Sequence, residues 1–254
     1  MLFGPILIVF VVVACGIFAA RPAWFPLPIS SDALLYDRQF SWTLWIIGAA
    51  FVVVQILLAY TALNRRSRAV PKSRWLEIGW TVVIAAIFLT LAGLGSRGWA
   101  KTPGSPAGKE VVEVYSRQFA WNFRYPGADG RFGKTRLDLI SDSGGNPLGL
   151  DPSDPNGSDD IVTASLRIPA GRNVLLLLHS RDVIHDFFVR ELRTKQDIVP
   201  GMEIPLEIHV DRPGRYEIAC AELCGLGHSQ MRSFMIVMTG DEFDLWKKAP
   251  SPRK

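Results

Sequence analysis

The chain has 254 residues, 48% of them hydrophobic, and a formal net charge of +4. The charge is uneven: residues 1–107 carry nine Lys/Arg against three Asp/Glu, and residues 108–254 carry 19 against 21. A basic excess confined to the apolar half reflects membrane topology rather than nucleic-acid binding, and three cysteines are too few for a disulfide framework.

Residues 2–20 are uncharged and apolar. About 20 such residues are needed to cross a bilayer core, so segment 1–20 is near the minimum. Three readings stay open: an additional transmembrane helix, a cleaved signal peptide, or a lipoprotein leader. No Lys or Arg precedes the run, which argues against a signal peptide. In the lipoprotein reading, Val12-Val13-Ala14-Cys15 is the processing box and Cys15 the lipidated terminus.

Residues 21–35 are Pro-rich and read as an irregular linker. A two-helix transmembrane hairpin is expected over 36–97, with spans at Phe40–Leu63 and Trp75–Gly95. Trp42, Trp45 and Tyr60 lie near the ends of the first span, where interfacial aromatics belong. The connection 64–74 holds five basic residues and no acid, which places it in the cytoplasm and the C-terminal part on the periplasmic side of a bacterial plasma membrane. Glu77 is the one ionisable group within the second span. It is either an interfacial carboxylate paired with Arg74 or a functional group, as intramembrane carboxylates commonly are.

After a Pro/Gly linker at 98–108, short β-branched runs are split by Gly, Pro and Asp. Strands are expected at 111–119, 135–140, 161–168, 173–180, 187–189, 205–210, 215–219 and 233–238. The pattern suggests an all-β antiparallel sandwich or Greek-key barrel over 109–240. The Gly/Asp/Pro-rich stretch 126–160 reads as an inserted loop, solvated or contacting a subunit. Its spacing fails the EF-hand pattern. The tail 241–254 lies outside this domain, and 247–254 is expected to be disordered.

The chemistry concentrates in Cys220-Ala221-Glu222-Leu223-Cys224-Gly225-Leu226-Gly227-His228-Ser229-Gln230-Met231. Two thiols, an imidazole and a thioether in twelve residues form a soft ligand set. Thiolate, imidazole and weak axial Met together select the copper of cupredoxin sites over zinc. A second imidazole could come from His179, His185 or His209, and on the bare sequence His185, in an expected strand-to-strand turn, is only slightly favoured.

Three separate motifs carry a resemblance. Asp182-Val183-Ile184-His185 matches D-V-x-H. Lys195-Gln196-Asp197 with Pro200-Gly201 matches K-x-D-x-x-P-G, and Cys220–Met231 matches C-x-E-x-C-G-x-x-H-x-x-M. With two spans ahead of a β domain, the chain resembles subunit II of the haem–copper cytochrome c oxidases over residues 36–240. The resemblance implies a cupredoxin fold and a dinuclear copper centre, CuA. Cys220 and Cys224 would bridge the coppers, and His185 and His228 would each bind one. Met231 and the Glu222 carbonyl would be weak ligands. The Glu222 carboxylate would also meet a magnesium ion at the subunit I interface. Glu77-Ile78-Gly79-Trp80-Thr81 resembles the family's E-x-x-W-T, which marks the mouth of a proton-uptake path.

The implied function is electron transfer from a c-type cytochrome to haem in a catalytic subunit I, for oxygen reduction coupled to proton pumping. The alternative is the same role in a nitric oxide reductase. Other oxidase subunits and the membrane are implied partners, and no catalytic residue of oxygen reduction is expected in this chain. The resemblance departs at Gln118-Phe119-Ala120-Trp121, where the family carries Q-W-Y-W. Phe119 stands where the electron-accepting Trp is expected, and Trp121 matches the second Trp.

Overall fold

The computed structural model describes residues 3–20, 25–63, 73–99 and 108–249. Most of the basic connection 64–74, most of the linker 98–108 and the last five residues lie outside these. The described residues form two compact units, one of residues 1–27 and 35–102, the other of residues 28–34 and 103–254.

The first unit is helical. Helix α1 spans Phe3–Ala19, α2 Ser31–Leu63 and α3 Arg74–Trp99. Helices α2 and α3 are long and apolar enough to cross a membrane. Helix α1 packs its rings on α2, Phe10 on Phe51 at 6.3 Å and Phe18 on Trp45 at 4.9 Å between centroids. Cys15 is exposed on α1. Glu77 lies in the first turn of α3, and its carbonyl accepts a hydrogen bond from Thr81 Oγ1 at 2.8 Å.

Helix α2 begins nine residues before the expected Phe40, inside the stretch read as irregular linker. Ser30 caps it by accepting from the Ala33 N–H at 3.0 Å, which satisfies one of the helix's orphan donors. Ile29, Ser30 and Ala33 are buried within the second unit. There Ile29 exchanges backbone bonds with Glu191 and Asp211, and the Ser31 N–H donates to Asp211 Oδ2 at 2.8 Å.

The second unit is a sandwich of two five-stranded sheets. Its strands are β1 (Glu110–Arg117), β2 (Ala120–Tyr125), β3 (Ile161–Thr163), β4 (Leu166–Pro169), β5 (Asn173–Ser180), β6 (His185–Val189), β7 (Thr194–Ile198), β8 (Ile204–His209), β9 (Gly214–Cys220) and β10 (Arg232–Met238). One sheet runs β3-β2-β1-β5-β8 and the other β4-β10-β9-β6-β7. The all-β expectation holds, but the sheets are mixed rather than antiparallel. β1 pairs parallel with β5, and β4 with β10. Each parallel pair joins strands that are not neighbours in sequence, a relation that hairpin reasoning does not supply.

Alternation builds the core. Val112, Val114 and Ser116 of β1 are buried, and the two valines share the core with Phe123, Leu176, Leu178, Phe187, Ile218 and Met235. The Tyr125 hydroxyl links the two sheets, donating to the Arg167 carbonyl at 2.9 Å and accepting its N–H at 2.6 Å.

Three expected elements are corrected. Residues 135–140 are not a strand: Leu137–Leu139 form a 3-10 turn, with Leu137 exposed and Arg136 paired to Asp138. The run 161–168 is two strands, because the chain crosses from one sheet to the other at Ala164–Ser165. The tail is ordered through 249: helix α4 (Gly240–Lys248) starts with a Thr239/Glu242 capping box and buries Phe243 against Tyr125.

The inserted loop 126–160 is tied down from below. Arg124, buried in β2, donates to Asp160 Oδ2 from Nε at 3.0 Å and from Nη2 at 2.5 Å. It also meets Glu113 Oε2 at 3.0 Å and the Gly133 carbonyl. A buried cation is tolerated here because carboxylates and a carbonyl surround it.

Candidate metal centre

Two loops at one end of the sandwich supply the donor atoms. The first, between β5 and β6, ends in His185. The second leaves β9 at Cys220 and returns to β10 after Met231. Strand pairing fixes them side by side: Phe187 sits opposite Cys220, and the Ala221 N–H donates to the Asp186 carbonyl at 3.3 Å.

His185, Cys220 and Cys224 are buried, with ligand atoms all within 4.8 Å of one another. The two Sγ atoms are 3.8 Å apart. Around Cys220 Sγ lie His185 Nδ1 at 3.9 Å and the Glu222 carbonyl at 3.2 Å. Around Cys224 Sγ lie His228 Nδ1 at 3.6 Å and Met231 Sδ at 3.8 Å. The donor set therefore has two similar halves: each sulfur has one imidazole and one weaker donor beside it. Burial pushes the Cys224 thiol up to about 11, with the Cys220 sulfur adding to it. A bound cation reverses this by displacing the proton.

Asp182 orients the first imidazole. Its Oδ1 accepts from His185 Nε2 at 2.7 Å, which leaves Nδ1 facing the sulfurs. Oδ1 also accepts from the Val183 N–H at 2.8 Å, and Oδ2 from the Gln118 N–H at 2.7 Å. Burial opposes its charge, but the Gln118 N–H and then the His185 imidazole hold the Asp182 carboxyl below the usual range. Lys195, from the K-x-D motif, reaches the buried Asp186 carboxylate at 3.0 Å, next to His185 in sequence.

The other two histidines lie elsewhere. His179 stacks on Tyr115 at 4.9 Å, and His209 sits between Asn173 Oδ1 at 2.7 Å and Asp211 Oδ1 at 3.0 Å. Of the aromatic pair, Trp121 is buried with its ring 6.5 Å from that of His185. Phe119 lies on the surface, and its ring covers the second loop. A Cβ on Gly227 would stand 2.4 Å from Phe119 Cδ2, and one on Gly225 would stand 3.1 Å from Cζ.

Sequence reasoning did not single out these two glycines, nor Gln118, whose Nε2 donates to the Cys224 carbonyl at 2.5 Å. The Asp182–His185 spacing did carry a signal, since a turn brings residues three apart together.

The family model for the cytochrome c oxidase subunit II periplasmic domain matches residues 148–239. The alternative cytochrome c oxidase subunit 2 of Bradyrhizobium diazoefficiens is 34% identical over 253 residues, covering 95% of this chain and 89% of that one. The chain belongs to the cytochrome c oxidase subunit II family. Another relative, the cytochrome c oxidase subunit 2 of Synechocystis, is 29% identical over 252 residues, covering 89% and 76%. Among solved structures, the periplasmic domain of cytochrome oxidase subunit II (CoxB) of Bradyrhizobium japonicum aligns with a TM-score of 0.42 and 22% identity, covering 59% of this chain and 96% of that one.

As a subunit II, the chain is part of an oxidoreductase complex, and the copper its family implies suits the donors present. Two thiols, two imidazoles, a thioether and a carbonyl form a soft, sulfur-rich set, with His185, Cys220, Cys224 and Met231 buried and His228 half-buried.

Proposed function

We propose that this subunit II chain takes electrons from a c-type cytochrome at a dinuclear copper centre and passes them to haem in the catalytic subunit I. That subunit reduces oxygen and pumps protons. The observation that carries this reading is the convergence of six donor groups from two loops into two similar halves around a pair of sulfurs. His185, Cys220, Cys224 and His228 would hold the centre, with Met231 and the Glu222 carbonyl as weaker donors. When bound, the copper pair supplies a one-electron couple whose charge change is spread over two metals.

The chain's own part is rigidity. The sandwich fixes both loops, Asp182 fixes the His185 ring, and the Phe119 ring lies on Gly225 and Gly227 of the second loop. Phe119, at the surface over the loop, and Trp121, buried beside His185, are the aromatic groups for electron arrival. The Glu222 carboxylate, next to the carbonyl facing Cys220, is assigned to magnesium at the subunit I interface. Glu77 is assigned to the mouth of a proton path, with the β domain on the periplasmic side.

Copper analysis and EPR of the purified complex test the centre. Two coppers per chain with a shared-electron signal are expected; a single type 1 copper, or zinc alone, overturns it. Haem subunits that turn over nitric oxide in place of oxygen overturn the terminal substrate. Glu77→Gln should slow turnover with the copper spectrum intact, and unchanged turnover removes Glu77 from the proton path.

A further inference from the structure

The turn between β1 and β2 supplies no donor to the metal cluster, yet it touches both loops that do. The Gln118 backbone N–H donates to the Asp182 carboxylate at 2.7 Å, and the other oxygen of that carboxylate holds His185 Nε2 at 2.7 Å. The Gln118 side chain extends to the second loop, where Nε2 donates to the Cys224 carbonyl at 2.5 Å. The next residue, Phe119, lays its ring on Gly225 and Gly227 of the same loop.

That loop needs a tether. Between Cys220 and Met231 its only regular structure is one 3-10 turn at His228–Gln230, and Leu223 and Leu226 are exposed. Segments with few buried contacts and exposed backbone open at low free-energy cost. Strand pairing secures the start of the loop at Cys220. The Cys224 carbonyl is held by an amide from outside the loop.

We propose that Gln118 is a positioning residue for the metal centre. It braces the His185 loop through its backbone and the Cys224 loop through its side chain, so the spacing between imidazole and thiolate is set before metal arrives. The inference rests on the dinuclear copper function proposed for the chain. It needs a neutral donor at this position: a carbonyl accepts, and an ionised carboxylate of the same shape has no hydrogen to give. Outer groups that orient ligands commonly carry 10- to 100-fold in metal affinity.

The test uses the full chain in its complex, with Gln118→Glu (same shape, donor lost) and Gln118→Met (similar length, neither charge nor donor). Both variants should lose copper to a chelator about 10-fold faster than wild type and change the copper EPR hyperfine pattern, at unchanged haem content. In the metal-free protein, amide exchange over residues 223–228 should quicken in both. A Met variant that matches wild type in all three measurements overturns the proposal, because the loop would then keep its geometry without the amide donor. If the Glu variant fails to assemble, the Met variant decides alone. If wild type takes up no copper, the metal reading fails, and the exchange comparison still decides whether Gln118 braces the loop.

Discussion

Replacing Gly227 by Ala isolates the contact between the aromatic cover and the ligand loop. The backbone at Gly227 has φ −91° and ψ 9°, which an L-residue adopts, so the change adds a methyl group and no backbone strain. That methyl would lie 2.4 Å from Phe119 Cδ2 and 2.6 Å from Cγ, atoms near the root of the ring that cannot turn away without moving the side chain. Phe119 is 39% exposed. About three-fifths of a side chain of ~200 Å² is therefore covered, roughly 120 Å². At ~25 cal/mol/Å², full displacement costs about 3 kcal/mol, and partial displacement about 1–2 kcal/mol. Phe119→Ala forfeits the same burial, so Gly227→Ala should add almost nothing in that background. The expected coupling is about 1–2 kcal/mol, within the range for residues in contact. Urea unfolding of the four members of the cycle, in a fragment spanning residues 108–254, measures it. Additive costs would refute the reasoning, because the missing Cβ would then matter for something other than the ring. Gly225 cannot serve in this way, since its φ of +135° strains any other residue.

Arg124→Met should destabilise the same fragment by about 3–5 kcal/mol by leaving Asp160 charged and buried without its partner. Adding Asp160→Asn should recover part of that loss, and urea midpoints that fail to recover argue against an uncompensated charge. Met231→Leu conserves volume at a fully buried position, so it should cost less than about 1.5 kcal/mol while altering the copper spectrum. An unaltered spectrum would remove Met231 from the donor set. The Thr239 N–H holds the Glu242 carboxyl below its usual range. A depressed folded value means the cap contributes fully above the unfolded pKa of about 4.3 and is lost as pH falls through the folded value. Protection of the α4 amides, measured against their intrinsic exchange rates, should therefore fall as pH drops below about 4.3, and Glu242→Gln should flatten that response. An equal response in both chains rules out Glu242 as its source.

The parts of the fold that can be read in the sequence are those where one signal dominates. Asn173–Ser180 has the expected bounds because a run of Val and Leu flanked by polar residues has no competing reading. β7, Thr-Lys-Gln-Asp-Ile, escapes the sequence pattern because it is polar, and its strand state comes from pairing with β6. β2 escapes it because its residues also read as an aromatic patch, though Trp121, Phe123 and Tyr125 alternate inward. The donor-rich loop stands out in the sequence by C-x3-C-x3-H-x2-M alone. The choice of His185 over His179 and His209 comes from the D-V-x-H resemblance rather than from spacing, since it depends on which strand end lies beside Cys220. The brace from Gln118 is not legible either, because its two partners are 64 and 106 residues away.

The seat of Ile29, Ser30 and Ala33 in the second unit makes the β domain discontinuous, and this bears on how the protein is made. The bond from Ser31 to Asp211 closes a loop of 180 residues. On a growing chain, residues 28–34 emerge first and wait for β8 and Asp211 before their seat exists. Synthesis of both long helices falls within that wait. Completing the domain thus needs a docking of its earliest residues onto partners made some 180 residues later, a long-range closure that is slow compared with local hairpins. A fragment cut at residue 108 skips this step and leaves an open seam where Ile29 belongs.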